Sequence, residues 1–221
     1  MVDMFYTENP SNTLRLGDVV TGYITAVPNQ KEPIRNNFAE YNLDIKHPNY
    51  LVVLTPCCSI GEKTLSVAPL TTILDAKRKK FFANPYFRGD MTLINYPHTF
   101  REWKDLGHED VTDPAGSGEK LYTLDNLFVY AEDLRLKSYN VNVRKEEFES
   151  RYYIIDFRNV TKIKCDCIVS ENEKVRNYDT LLEKTMASKI LELSIDSRAS
   201  LREKLAYYYS RPPKEDCIVE C

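Results

Sequence analysis

Glycine is scarce in this chain: seven in 221 residues, alongside a single tryptophan and three histidines. A phosphate-cradling loop needs closely spaced glycines, and no G-x-x-x-x-G-K-S/T or G-x-G-x-x-G run occurs. H-E-x-x-H, G-x-S-x-G and the kinase motif set are missing too. No apolar run approaches the ~20 residues a membrane span requires. The opening stretch MVDMFYTENPSNT carries no basic-then-apolar leader, so a cytoplasmic location is expected. Charge of one sign is lacking as well. Thirty basic and 33 acidic residues leave a formal net charge of -3, which exerts no global pull toward nucleic acid or anionic membrane.

What is present describes a soluble chain that folds on its own core. Hydrophobic residues make up 43% and charged residues 29%, and 15 tyrosines suit an aromatic-rich, β-containing domain. A chain of this length buries a sizeable core without staples. Six cysteines would allow disulfides, but a reducing compartment makes thiols or metal ligands the better reading.

Residues 1–13 read as a polar lead-in. LRLGDVVTGYITAVP follows as a strand, and residues 28–48, with Pro28, Pro33 and Pro48, as a long loop. YLVVLTP lacks polar alternation and looks buried on both faces. TLSVAPLTTIL is the next strand, ending or bulging at Pro69. MTLINY is a short strand candidate. Residues 97–120, rich in glycine, proline and charge, form a long inserted loop. NLFVYAEDLRL and RYYIIDFRNVTKIKC supply further strands. Leu182, Met186 and Ile190 then recur at helical spacing, as do Leu201, Leu205 and Tyr208, with Ser194 or Asp196 capping between them. The expected fold is α+β, mainly β. It comprises a β-barrel domain over 14–169, a C-terminal helical hairpin over 181–213 as an appendage, and a tail over 214–221.

Three stretches in order, LGDVVTG, LVVLTPCCSI and LSVAPLTTI, resemble the opening of the PemK/MazF-type family. Gly17, Asp18, Val52, Val53, Leu54, Ala68, Pro69, Leu70 and Thr71 carry the likeness, which spans residues 16–73. The resemblance implies an SH3-like open barrel of a kind mostly known among bacterial toxins that cut RNA. The family places an arginine and a proline before the second strand. KHPNYLVVL has His47 and Pro48 there and no arginine, so the likeness speaks for the fold more than for the activity.

Candidate sites follow from residue chemistry. The cysteines come as Cys57-Cys58, Cys165-x-Cys167 and Cys217-x-x-x-Cys221. Cys165 and Cys167 would share a strand face and, with Cys58, offer soft ligands to zinc. Burial as packed thiols is the competing reading. Lys77, Arg78, Lys79, Lys80 and Arg88 lie close to Phe81, Phe82, Tyr86 and Phe87, a mixture that can meet phosphates and stack on bases of RNA or DNA. A solvated charge run over core aromatics is the alternative. Tyr207, Tyr208 and Tyr209 fall in one helical turn, cannot all face one core, and suit a protein partner. The expectation is a non-catalytic bacterial or phage binding module of toxin–antitoxin or defence type, with a protein or nucleic-acid partner. If the chain is an enzyme, it is a metal-independent endoribonuclease in which His47, Thr55 or Thr71 would supply acid, base or phosphate contacts. A zinc-stabilised structural domain is the third reading.

Overall fold

Pro69 is where the architecture turns. In the computed structural model the described residues are 4–11, 13–21, 25–29, 42–56, 64–75, 89–96, 98–99, 121–122, 124, 126–143, 146–164, 168–169 and 187–210. They form, in chain order, β1 (Val19–Thr21), β2 (Thr25–Asn29), β3 (Asn42–Lys46), β4 (Tyr50–Val53), β5 (Thr64–Pro69), β6 (Thr71–Thr72), β7 (His98–Thr99), β8 (Leu121–Tyr122), β9 (Leu127–Tyr130), β10 (Tyr139–Val143), β11 (Glu146–Ser150), β12 (Tyr153–Asp156), β13 (Thr161–Lys164), β14 (Ile168–Val169), β15 (Ala187–Leu191) and the helix α1 (Ile195–Ser210). A six-stranded sheet runs β13-β5-β4-β1-β15-β14 and a three-stranded sheet runs β6-β12-β9. Pro69 pairs with Leu51 but has no N–H to continue the ladder. After Leu70, β6 pairs with β12 in the other sheet. A single bent strand therefore belongs to both sheets, and Leu70 at the bend is buried between them.

Side-chain alternation explains the apolar run in β4. Val52 points into the core shared with Phe128, Tyr130, Tyr153 and Leu191. Leu51 and Val53 point to the opposite face, with Val20, Leu65, Val67 and Ile163. The strand is covered on both sides, as the missing polar alternation implies. A third cluster lies under the three-stranded sheet, where Ile154 and Val129 meet Met91, Ile94 and Val141.

Gly17 links the two sheets. Its φ of +86° is a conformation that side-chain-bearing residues rarely adopt, and a Cβ there would stand 2.4 Å from Leu193 Cδ1. Its amide donates to the Val53 carbonyl at 2.8 Å, and its carbonyl accepts from the Tyr130 hydroxyl at 3.0 Å.

Several sequence expectations are corrected. The helical hairpin does not appear among the described residues: Ala187–Leu191 is a strand between β1 and β14, and α1 is the sole α-helix among them. Ile190 thus lies in a strand, while Leu182 and Met186 fall outside the described residues. Alternation in ASKIL serves a strand as well as a helical stripe, and the free edge of β1 decides for pairing. Ser194 does cap α1, its Oγ accepting from the Ser197 amide at 3.2 Å, but it separates a strand from a helix. MTLINY is a 3-10 turn over Met91–Asn95 started by the Asp90 side chain, not a strand. The stretch 28–48 contributes β3 and the end of β2, which pair as an antiparallel hairpin. β10 and β11, also unforeseen, pair in the same way. The polar lead-in is anchored by two aromatics. Tyr6 bridges Leu193 and is buried with Phe5 packed beside it. His98–Thr99, inside the stretch 97–120 expected as an inserted loop, pairs with Leu121–Tyr122 just past its end. Residues 100–120 fall outside the described residues.

Candidate functional site

α1 carries two faces. Leu201 is buried in the main core, with Leu205 and Tyr208 packed against it, so this face is committed to the fold. Ile195, Ala199, Arg202, Ala206 and Tyr209 recur every three or four residues along a different face. That face borders a groove of about 650 Å³, closed on its other side by Leu16 and by Pro56, with Leu205 at the junction between the two faces. Ile195 is 78% exposed and Tyr209 62%, unusual for side chains of this size on a helix that already has a packed face. Pro56 lies three residues past the end of β4, so the groove lies near the mouth of that strand.

Arginine supplies the groove's polarity. Arg198 Nη2 donates to Glu192 Oε1 at 3.0 Å and to the Leu193 carbonyl at 2.8 Å. Arg202 is exposed and makes no ion pair among the described residues.

Beneath Arg198 lies a buried charge network. Lys189 Nζ sits 2.7 Å from Asp18 Oδ2, 2.7 Å from Glu192 Oε2 and 2.9 Å from the Thr13 carbonyl. Glu192 also accepts from the Ser11 amide at 2.7 Å and faces Arg15 Nε at 3.6 Å. Burial pushes the Asp18 carboxyl up to about 6, against the pull of Lys189 and of the Arg15 amide. For Glu192 burial acts in the same direction, but the hydrogen bonds from Lys189 and Ser11 outweigh it and bring the carboxyl down to about 2. Asp18, Lys189 and Glu192 are 0%, 6% and 3% exposed, so a substrate has no route to them in this conformation. The network is a clasp that ties the N-terminal segment, β1, β15 and α1 together. Sequence reasoning passed over Lys189, Glu192 and Arg198. The available signal was two charges set into the mostly apolar ASKILEL, which must find partners if the segment is buried.

A second cleft of about 500 Å³ opens on the other side of α1's first turn, between Asp90, Tyr96, Glu132, Tyr152 and Asp196. Burial, with the Asp90 and Glu132 carboxylates nearby, pushes the Tyr152 hydroxyl up to about 12.

The residues expected from sequence divide sharply. Tyr209 lines the groove, Tyr207 is exposed, and Tyr208 is half-buried against Phe157 with ring centres 5.6 Å apart. The three do face different ways. Thr55 is buried and its Oγ1 accepts from the Ser66 amide at 2.7 Å. The Thr71 hydroxyl donates to the Ile154 carbonyl at 3.0 Å, so both threonines serve backbone joints. His47 is exposed in the connection between β3 and β4. Lys77, Arg78, Lys79, Lys80 and Arg88 lie outside the described residues, as do Cys57, Cys58, Cys165 and Cys167, so the basic–aromatic patch and the zinc site rest on sequence alone. No group of metal-ligating side chains occurs among the described residues, and no described helix is long and apolar enough to cross a membrane. Comparison with known proteins finds no matching family model, no matching curated protein and no matching solved structure.

Proposed function

We propose that this protein is a non-catalytic binding module, built on an SH3-like open barrel, that docks a protein partner in the groove along α1. One observation carries the reading. α1 has a second, largely apolar stripe, with Ile195 and Tyr209 exposed, beside its core face. Apolar area of that kind costs solubility unless something covers it, and aromatic residues with arginine are enriched where partners meet. The strand bent at Pro69 and shared by two sheets supports the barrel. The setting, a bacterial or phage toxin–antitoxin or defence system, rests on the likeness in residues 16–73. The hydroxyls of Thr55 and Thr71 are taken by backbone partners, which favours binding over ribonuclease chemistry.

The test pairs capture with a fold control. Wild-type protein and the double variant Ile195→Asp/Tyr209→Asp are each used as bait, after circular dichroism establishes equal melting. Both substituted positions are exposed, so the fold is expected to survive. A protein that cross-links to wild type and is lost from the variant supports the reading. Identical capture by both, or cleavage of a mixed RNA pool by wild type, would overturn it.

A further inference from the structure

The groove's charge identifies the chemistry of its occupant, given the docking reading above. Among the described residues the groove's lining carries two cations, Arg198 and Arg202, and no carboxylate. Arg198 is already engaged with the buried Glu192. The surplus is positive in a chain whose net charge is -3, and it reaches solvent at Arg202. The apolar lining around Arg202 is small at its middle, Ala199 and Ala206, and larger at its ends, Ile195 and Tyr209. Two alanines let another backbone approach the helix closely, while the ends provide apolar anchors.

A second copy of this chain fits poorly. Two-fold antiparallel pairing of the stripe would set Arg202 against its own counterpart at the axis, and like charges so placed repel. A basic segment meets the same objection. We propose that the groove accepts an acidic, apolar segment of a different protein, with a carboxylate of that segment pairing to Arg202 and its apolar side chains seated beside Ala199 and Ala206. Arg202 chooses the partner's sign, and the apolar stripe supplies the affinity.

Selection from a random peptide library displayed on phage, using the full chain as bait, tests this directly. Enriched peptides are then titrated as synthetic copies by fluorescence anisotropy against wild type, Arg202→Glu, Arg202→Lys and Ala206→Asp. The expected winners carry Asp or Glu beside apolar residues. They lose at least tenfold in affinity on Arg202→Glu, keep most of it on Arg202→Lys, weaken with added salt, and are lost on Ala206→Asp. Peptides lost on Ala206→Asp but indifferent to Arg202→Glu would leave the groove as a docking site and overturn the acidic assignment. No enrichment, or enriched peptides indifferent to both variants, would overturn the docking reading as well. A dimer seen by light scattering and broken by Ala206→Asp would make the occupant a second copy, against the proposal. A tenfold gain in peptide affinity on Glu215→Lys/Asp216→Lys would make it the chain's own segment, likewise against it.

Discussion

Replacing Lys189 with methionine tests the buried clasp most severely. Methionine keeps the length and apolar stem of lysine and removes only the ammonium. Its loss affects the two carboxylates unequally. Glu192 keeps Arg198 at 3.0 Å, Arg15 at 3.6 Å and the Ser11 amide at 2.7 Å. Asp18 keeps only the Arg15 amide on Oδ2, and its Oδ1 has no partner even in the intact protein. Breaking a buried ion pair by deleting one member costs about 3–5 kcal/mol, and the penalty here falls mainly on Asp18. In a chain of this size that corresponds to a fall in Tm of about 10 °C. The pH dependence carries a sign. The Asp18 carboxyl stands at about 6 in the folded protein against 3.8 for an ordinary aspartate, so the folded state binds its proton more tightly. Such a group contributes stability at low pH that is lost as pH rises from about 4 through 6, amounting to about 3 kcal/mol once fully ionised. Without Lys189 the carboxyl rises further, so the variant's deficit should shrink between pH 7.5 and pH 5.5. Urea unfolding of wild type, Lys189→Met, Asp18→Asn and the double variant at both pH values measures this. Asp18→Asn should recover at least ~1 kcal/mol in the Lys189→Met background. A loss below ~1 kcal/mol for Lys189→Met, or strict additivity in the double variant, would refute the reasoning.

Other substitutions probe the joints around the site. Gly17→Ala forces a Cβ to within 2.4 Å of Leu193 Cδ1 at a φ of +86°, and a loss of ~2–4 kcal/mol is expected in chemical denaturation. Asn95→Ala removes two hydrogen bonds of 2.7 Å each, to the amide and carbonyl of Val129, and should cost about 2 kcal/mol while speeding amide exchange in the 3-10 turn. Ser194→Ala removes the cap of α1 and should cost ~1 kcal/mol, read as lower helicity and a lower Tm. Leu201→Ala should cost ~2–5 kcal/mol, because Leu201 is fully buried on α1's committed face, whereas Ile195→Ala on the exposed face should leave the melting curve unchanged.

Much of the sheet structure was legible from local pattern. YLVV has too little polar alternation for a half-exposed strand, and β4 is covered on both faces. Pro69 marked the break that passes one strand between two sheets, because a missing N–H is a property of the residue and needs no context. The inward face of α1 followed from Leu201, Leu205 and Tyr208, and its start from Ser194. The candidate site was visible only as three tyrosines, of which Tyr209 lines the groove. Ile195, Ala199, Arg202 and Ala206 give no separate signal, since a stripe left uncovered differs from a packed one only in what lies opposite it.

Contacts far apart along the chain settled the rest. ASKIL suits a helix or a strand equally, and it became β15 because Val19 and Val20 offered an edge to pair with. Lys189 in a buried strand and Glu192 just past its end look misplaced until Asp18 and Ser11 arrive from the other end of the chain and Arg198 from the helix that follows. Phe5 and Tyr6 sit in a polar stretch, and only the bridge to Leu193 draws them into the core. Local sequence sets what a segment favours by fractions of a kcal/mol per residue, whereas burying or pairing a side chain is worth one to several, so the partner prevails wherever the two conflict.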